Sequence, residues 1–173
     1  MKRPQSPIRD RSRMSWLAAI ATLLIAGGAC SDADLATGDG MSSGGGEDAF
    51  ATARTECVDA INAFRATEGL PPLTRWSDGE SCADTQGLAD SAASASHANF
   101  GDCGEWAQNT CGDRRSTGAI INDCLQSMWD EGPGEPFSEH GHYLNMSSTD
   151  YTEVACAFVE LADGSIWASQ NFR

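Results

Sequence analysis

Two of the three histidines in this 173-residue chain lie in one tripeptide, His140-Gly141-His142. Histidine is the commonest metal ligand in proteins and the usual acid or base near neutral pH. The third histidine, His97, and two carboxylates, Glu105 and Glu131, precede this tripeptide in the sequence. Two imidazoles and two carboxylates suit a divalent cation, or acid–base catalysis if their pKa values are pushed apart. On residue types alone, hydrogen-bonded structural histidines and solvated surface glutamates are the commoner explanation.

Six cysteines after Cys30 are the second group of side chains with possible chemistry. The chain begins with an export signal, so an oxidising compartment is expected, and six cysteines there predict three disulfides with 15 possible pairings. The sequence has no C-x-x-C pair, which argues against a structural zinc site, and the even count leaves no free cysteine as a nucleophile. The six are Cys57, Cys82, Cys103, Cys111, Cys124 and Cys156.

The export signal is an N-terminal segment with the pattern of a secretory signal peptide. Five basic residues lie within residues 2–13, and an apolar run over residues 16–26 ends in Gly27-Gly28-Ala29-Cys30. The run is too short for a spanning helix, which needs roughly 20 apolar residues. A cysteine directly after small residues resembles a bacterial lipoprotein cleavage site. This predicts a signal peptide over residues 1–29, with Cys30 lipidated and the protein at the outer membrane or cell surface. Ordinary cleavage after Ala29, giving a secreted or periplasmic protein, is the alternative.

The rest of the chain divides into a tether and one domain. Residues 31–47 are Ser, Gly and Asp with little apolar content, which predicts a flexible tether reaching roughly 20–25 Å. Residues 48–173 fit one globular domain. Without residues 1–29, six basic and 24 acidic residues remain, a formal net charge of −18. A surface this acidic repels phosphate backbones, so no nucleic-acid partner is expected.

Hydrophobic periodicity predicts three helices and a terminal hairpin in this domain. Apolar residues spaced by three and four predict helices over residues 48–68 and 117–131. Ser77 and Glu80 have the spacing of a capping box, which would open a helix through Leu88 to about residue 95. Residues 99–116 are predicted to be irregular. Alternating residues from Val154, a two-residue Asp163-Gly164 turn and a strand over residues 165–172 predict the hairpin, and with it an α+β domain.

The order of several short motifs resembles the CAP superfamily (SCP/PR-1-like; cysteine-rich secretory, antigen 5 and pathogenesis-related 1 proteins). The likeness runs through nearly the whole domain, and its strength lies in the order of the motifs. They are residues 61–65 (INAFR) with 69–73 (GLPPL), His97 after the second helix, Gly104-Glu105 for the "GEN" segment or 107–109 (AQN) for an "AEN" segment, 128–131 (MWDE) for the "W-x-x-E" helix end, 141–143 (GHY) with 154–157 (VACA), and 167–172 (WASQNF).

The resemblance implies an α-β-α sandwich with an antiparallel sheet, stabilised by disulfides. It also implies that His97 and His142 can bind a divalent metal, often zinc, in a cleft lined by Glu131 and by either Glu105 or Gln108. His140 has no counterpart in the family signature. In an extended segment its side chain would share a face with that of His142; the other possibility is an exposed neighbour.

The family is associated with sterol and lipid binding, with signalling or immune roles and with proteolysis, and the fold does not choose among them. We expect a membrane-tethered binding module whose cleft holds a metal and a small lipid, sterol or peptide ligand. A surface interaction domain with a vestigial cleft is the alternative. A metal-dependent hydrolase, with Glu105 or Glu131 as general base, is a third hypothesis. Enzyme activity is not favoured, because the sequence has no G-x-S-x-G motif and two histidines lack the third protein ligand that catalytic zinc usually has.

Overall fold

Four helices and a four-stranded sheet form residues 48–173, the part of the chain that the structure, a computed structural model, describes. The predicted signal peptide over residues 1–29, the lipidation site Cys30 and the tether over residues 31–47 lie outside the described residues and stay predictions. None of the four helices is long and apolar enough to cross a membrane. The helices are α1 (Ala51–Thr67), α2 (Ser77–Ala93), α3 (the consecutive segments Thr117–Ala119, π-helical Ile120–Cys124 and Leu125–Trp129) and α4 (Phe137–Ser147). The strands are β1 (Thr74–Arg75), β2 (Ala107–Arg114), β3 (Glu153–Glu160) and β4 (Ile166–Phe172).

The sheet has the order β1-β3-β4-β2, and within the described residues only the short β1 runs parallel to its neighbour. Successive residues of a strand point to opposite faces. Cys156 and Phe158 therefore join the core with α1, α3 and α4, whereas Val159 lies against Gly87 of α2. Because both faces are covered, β3 is apolar along nearly its whole length. Helix α2 on one face and the other three helices on the opposite face make an α-β-α sandwich, which confirms the predicted fold class.

Three disulfides crosslink the layers: Cys57–Cys156, Cys82–Cys103 and Cys111–Cys124. The first joins α1 to β3 across a sequence separation of 99 residues. In the chain-entropy view, closing a loop of about 100 residues restricts the unfolded chain by roughly 4.7 kcal/mol. The second ties α2 to the loop after it, and the third ties β2 to α3. The predicted disulfide scaffold is present, with a pairing that the sequence left open.

The guanidinium of Arg65 joins α1 to the end of α4. Its side chain is only 1% exposed. Nη1 donates to the carbonyl oxygens of Met146 (2.7 Å) and Ser148 (2.8 Å), and Nε donates to that of Pro71 (2.8 Å). Burial lowers the pKa of Arg65, but the last carbonyls of a helix carry partial negative charge that stabilises a cation there. One buried side chain thus fixes the C-terminal end of α4.

A second arginine, Arg54, joins α1 to α2 and β3. It donates to both oxygens of Asp84 on α2 (3.0 and 2.8 Å), to Asp48 and to the carbonyl of Cys156 (2.9 Å). Burial alone would lower the pKa of Arg54, yet the hydrogen bonds to Asp84 and Asp48 raise it above the ordinary value. Asp84 also accepts from the backbone N–H of Phe158 (3.0 Å). The position of α2 over the sheet therefore depends on this ion cluster.

Helix α2 exists as predicted but begins differently. No side chain caps its N-terminus, and Ser77 lies inside the helix. Glu80 instead accepts hydrogen bonds from Nε (2.6 Å) and Nη2 (2.8 Å) of Arg75 in β1, so the predicted capping box is wrong. The buried face of α2 carries small and polar residues, and the apolar Leu88 is 55% exposed. A helix with such a face has no clear apolar periodicity from which to identify its inner side.

Two segments differ more strongly from the prediction. Residues 99–116 are not irregular throughout, because the polar sequence of β2 pairs with β4 over most of its length. Pairing partners distant in sequence supply the hydrogen bonds that hold this strand. The segment with His140 and His142 is helix α4 and not an extended strand. Residues two apart in a helix point about 200° apart, so these two side chains do not share a face.

The terminal hairpin is confirmed, with a longer connection than predicted. Five residues, 161–165, separate β3 from β4. The backbone N–H of Leu161 donates to the carbonyl of Ser165 (2.8 Å), so three residues, 162–164, lie between the last paired residues. Within this loop the N–H of Gly164 donates to the carbonyl of Leu161 (2.9 Å). The two-residue Asp163-Gly164 turn is therefore wrong in length. Gly164 has a φ of +81°, a left-handed conformation that glycine adopts without strain.

We expect Arg65→Ala to destabilise the protein by about 3–5 kcal/mol, because it leaves three carbonyl groups without their charged donor. The measurement is denaturant-induced unfolding with the disulfides intact. Arg115→Ala, at an exposed arginine, is the matched control and should change the free energy of unfolding by no more than about 0.5 kcal/mol. Equal stability of the two variants would contradict the role given to Arg65.

Candidate functional site

A cavity of about 210 Å³ brings His97 and His142 together. His97 comes from the loop after α2, Gln108 comes from the edge strand β2, and His142 comes from α4. The remaining lining residues are Phe137, Ser138, Gly141 and Asn145. Together with His142, these four residues of α4 share one helix face, because they follow the spacing i, i+1, i+4, i+5, i+8. The cavity is therefore a cleft between α4 and the α2 loop, with β2 as its floor.

His97 is held in a left-handed backbone conformation, with φ +65°. Such a conformation costs a non-glycine residue on the order of 1–3 kcal/mol. The fully buried carboxylate of Asp90 on α2 accepts a hydrogen bond from the backbone N–H of His97 (2.9 Å). It also accepts from the backbone N–H (3.2 Å) and Nδ2 (3.1 Å) of Asn99. These three hydrogen bonds offset the strain and orient His97 toward β2.

The side chain of His97 is oriented by Gln108. The Nδ1 atom of His97 lies 2.8 Å from Oε1 of Gln108. Nε2 of Gln108 donates to Oδ1 of Asn171 (2.9 Å) and to Oε1 of Gln86 (3.3 Å), which fixes which end of the amide faces the histidine. An amide oxygen only accepts. Nδ1 of His97 therefore carries the proton, and in the neutral imidazole Nε2 keeps its lone pair.

His142 has a matching arrangement built on a carboxylate. Glu131, just after α3, accepts from Nδ1 of His142 at 2.5 Å through Oε1. Its Oε2 accepts from the backbone N–H of His142 (3.0 Å) and that of Tyr143 (3.4 Å). Nδ1 of His142 is thus a donor and Nε2 again carries the lone pair. A carboxylate behind a histidine fixes its tautomer and raises its basicity toward a metal.

Asn109, the residue after Gln108 in β2, attaches α4 to that strand. Its Nδ2 donates to the carbonyl of His142 (3.1 Å), and its Oδ1 accepts from Nδ2 of Asn145 (2.9 Å). Asn109 is fully buried, so these bonds are made away from water. Because neighbouring strand residues point to opposite faces, Gln108 orients His97 while Asn109 positions the helix that carries His142.

The two histidines can supply two neutral nitrogen ligands to a divalent cation. Zinc binds the unprotonated nitrogen of a neutral imidazole, and with Nδ1 as the donor that nitrogen is Nε2 in both rings. Within residues 48–173, no three His, Cys, Asp or Glu side chains converge as a metal-ligand group. A metal bound by His97 and His142 would therefore take its other ligands from water or a bound molecule.

The two predicted carboxylates have different positions. Glu131 supports His142 directly, as described above. Glu105 is 4% exposed and accepts from Nε2 of Gln86 (2.6 Å) and from the backbone N–H groups of Gly101 (2.6 Å) and Cys103 (3.0 Å). It therefore braces the loop after α2 and does not line the cavity. Gln108, the alternative in the sequence, is the residue beside His97.

His140 lies outside this cavity. Its Nδ1 is 2.8 Å from the carbonyl oxygen of Glu131 and 2.9 Å from that of Gly132. Both partners only accept, so this nitrogen is a donor and His140 ties α4 to the end of α3. His140 does not line the cavity beside His142, and it is half-buried, so it is not the exposed neighbour that was the other expectation.

A second cavity, of about 330 Å³, adjoins the first and was not found from the sequence. His97, Gln108, Phe137 and Asn145 line both cavities. The second cavity as a whole is called the aromatic groove here, and its other lining residues are Phe100, Trp106, Ala107 and Tyr151. The aromatic ring of Phe137 lies directly over Gly141, where an added Cβ would be 2.9 Å from Cε1 of the ring. Burial, with a smaller effect of Asp150, raises the pKa of Tyr151. These aromatic residues come from two loops and a helix, and no short motif links them.

Comparison with known sequences identifies one family. A sequence model described as "CAP: Cysteine-rich secretory protein family" matches residues 58–172, which include every residue of the two cavities. No curated protein matches this sequence.

Two solved structures have a similar fold. Na-ASP-1 is 14% identical with a TM-score of 0.50, and the match covers 70% of this chain and 38% of that one. Hookworm Platelet Inhibitor is 11% identical with a TM-score of 0.51, and the match covers 71% of this chain and 69% of that one. This chain therefore spans well under half the length of Na-ASP-1. At these identities the likeness shows the fold alone.

In the neutral state of the two imidazoles, we expect His97 and His142 to be protonated at Nδ1, because each Nδ1 faces an acceptor. Nitrogen-15 NMR shifts distinguish this tautomer from the Nε2-protonated form that a free histidine side chain prefers. Gln108→Ala should release His97 only, and Glu131→Ala should release His142 only, so each variant is the control for the other. Nε2 protonation of both histidines in the unaltered protein would contradict the assignment.

Proposed function

Since this chain belongs to the cysteine-rich secretory protein (CAP) family, we propose that its His97–His142 cleft binds a divalent metal ion, with zinc the preferred ion, together with a small ligand. The observation that carries the proposal is the pair of matched supports, Gln108 on His97 and Glu131 on His142. Each support holds Nδ1 as a donor and thereby leaves the Nε2 lone pair for a ligand in the neutral imidazole. A metal bound there supplies positive charge and open coordination positions that a ligand oxygen or nitrogen can fill.

The ligand proposal rests on the two adjoining cavities. Together they offer a polar end at the histidines and an apolar end at the aromatic groove. Small-molecule sites generally combine apolar walls with a few polar groups that fix orientation. A small lipid, a sterol or a short peptide with one polar end fits this combination.

Binding is favoured over hydrolysis because neither glutamate is available as a general base. Both carboxylate oxygens of Glu131 accept hydrogen bonds from His142, one from its backbone N–H and one from its ring Nδ1. Glu105 is buried against backbone N–H groups of its own loop. A base must reach the proton that it removes. A hydrolase therefore remains the weaker hypothesis, behind a binding module.

A surface interaction domain is the second candidate, and the exposed aromatic groove favours it. Phe137 is 58% exposed and Trp106 66% exposed in the same cavity, and clustered exposed apolar side chains mark interaction sites. If the cleft is vestigial, His97→Ala and His142→Ala would leave binding to a partner protein intact while Trp106→Ala would abolish it.

Three disulfides and membership of the family indicate an extracellular, oxidising location. We add the proposal that a lipid on Cys30 tethers the domain to a membrane surface through residues 31–47.

We expect metal-free protein to bind one zinc ion per chain in calorimetric titration. His97→Ala and His142→Ala should each lose at least about 100-fold in affinity, and Glu131→Gln about 10- to 100-fold, because the Gln amide cannot accept at both oxygen positions. His140→Asn, which keeps a donor toward the carbonyls of Glu131 and Gly132, is the matched control and should bind as the unaltered protein does.

Absence of stoichiometric zinc, or unchanged affinity in both alanine variants, would refute the metal site. Hydrolysis of a peptide or ester that disappears in Glu131→Gln while zinc stays bound would favour the hydrolase over the binding module.

For the tether, we expect Cys30→Ala to move the protein from the membrane fraction to the soluble fraction of expressing cells, because one acylated cysteine carries the anchor. Ser31→Ala is the control and should not change the distribution. A membrane fraction that Cys30→Ala leaves unchanged would contradict the lipidation of Cys30.

A further inference from the structure

The aromatic groove contains three of the four large apolar side chains that are exposed in residues 48–173. Phe100 is 49% exposed, Trp106 66% and Phe137 58%, and the fourth, Leu88, lies elsewhere on α2. Tyr151 completes the groove. The clustering of such side chains around one concave surface marks a binding site, whereas a scattered distribution would not. With a volume of about 330 Å³, the groove lies at the lower end of the range for small-molecule sites.

The domain that carries the groove is strongly acidic. Residues 48–173 contain 20 carboxylates, six arginines and no lysine, a formal net charge of −14. None of the six arginines lines the groove. Arg173, whose carbonyl accepts from the backbone N–H of Thr152 next to Tyr151, directs its guanidinium to Glu153 (2.7 Å) and over the ring of Trp76 (3.8 Å). The net charge therefore attracts cations to the domain that carries the groove and repels anionic head groups.

The walls of the groove suit a cation that makes no hydrogen bonds. Four aromatic rings present π-electrons, which attract a cation placed over the ring face. The lining includes no carboxylate. A lysine or arginine side chain brings three or five N–H donors that would lack charged acceptors there. A quaternary ammonium group has no N–H donor, so the apolar rings can replace its water without leaving a donor unsatisfied.

We propose that the aromatic groove binds the quaternary ammonium group of a small molecule. This ligand class deepens the proposed function. It rests on that function only because the groove and the histidine cleft are treated as one site. The quaternary ammonium group would occupy the aromatic groove, and its binding there needs no metal.

The test uses the disulfide-intact protein, freed of metal with a chelator, and two probes of the same shape. Choline carries the quaternary ammonium, and 3,3-dimethylbutan-1-ol replaces its nitrogen by carbon and is neutral. Binding is measured by calorimetry and by tryptophan fluorescence. Trp106 is the most exposed tryptophan within residues 48–173, since Trp76 and Trp167 are buried and Trp129 is half-buried. We expect choline to bind about 5- to 10-fold more tightly than the neutral alcohol, and to bind more weakly as salt is added.

Variants locate the binding. Trp106→Ala should weaken choline binding at least about 5-fold, and Trp106→Phe should weaken it less, because one ring face is kept. Leu88→Ala, at the exposed apolar residue outside the groove, is the matched control and should have no effect. If the neutral alcohol binds as tightly as choline, or if neither probe binds, the proposal is overturned. Loss of zinc binding in the His97→Ala and His142→Ala variants is a separate result that tests only the metal site.

Discussion

The alternation of side chains along edge strand β2 is the constraint on which the site depends. Gln108 and Asn109 are adjacent, so the pleat sends one to the α2 face and the other to the α4 face. Gln108 holds the ring of His97, and Asn109 holds the backbone of His142. A shift of one residue in the pairing of β2 with β4 would exchange these roles and separate the histidines. The Cys111–Cys124 disulfide, further along the same strand, opposes such a shift.

Buried polar groups, more than apolar packing, determine the shape of the cleft. Asp90 stabilises the left-handed backbone conformation of His97 by accepting from its N–H, and Arg65 donates to the carbonyl groups at the end of α4. Gln86, fully satisfied by its neighbours, joins α2 to Asn171 of β4 and to Glu105. A buried network in which every member has a partner is rigid, and a network that has lost one partner is costly. The histidines therefore project from a stiff frame although His97 itself is exposed.

Sequence patterns predicted those elements whose stability is local or whose apolar residues are periodic. Helix α1 was found from its repeat of Ala53, Cys57 and Ile61, and the terminal hairpin from the alternation in β3. Strand β2 was missed because its sequence is polar, and its stability comes from β4, more than fifty residues away. Helix α4 was missed because His140-Gly141-His142 has low helix propensity. Its helical form depends on contacts with Arg65 and Asn109, which no local window contains.

The sequence by itself determined the fold class, the family resemblance and the identity of His97 and His142 as candidate ligands, because ordered motifs and residue types do not depend on geometry. Only the tertiary structure decided that Gln108 and not Glu105 stands beside His97, and that His140 belongs to the end of α3. It also decided the disulfide pairing and gathered Phe100, Trp106, Phe137 and Tyr151 into one groove. The physical reason is that hydrogen bonds and ring contacts act over a few ångströms in space, and residues from α2, β2 and α4 reach those distances only when the chain is folded.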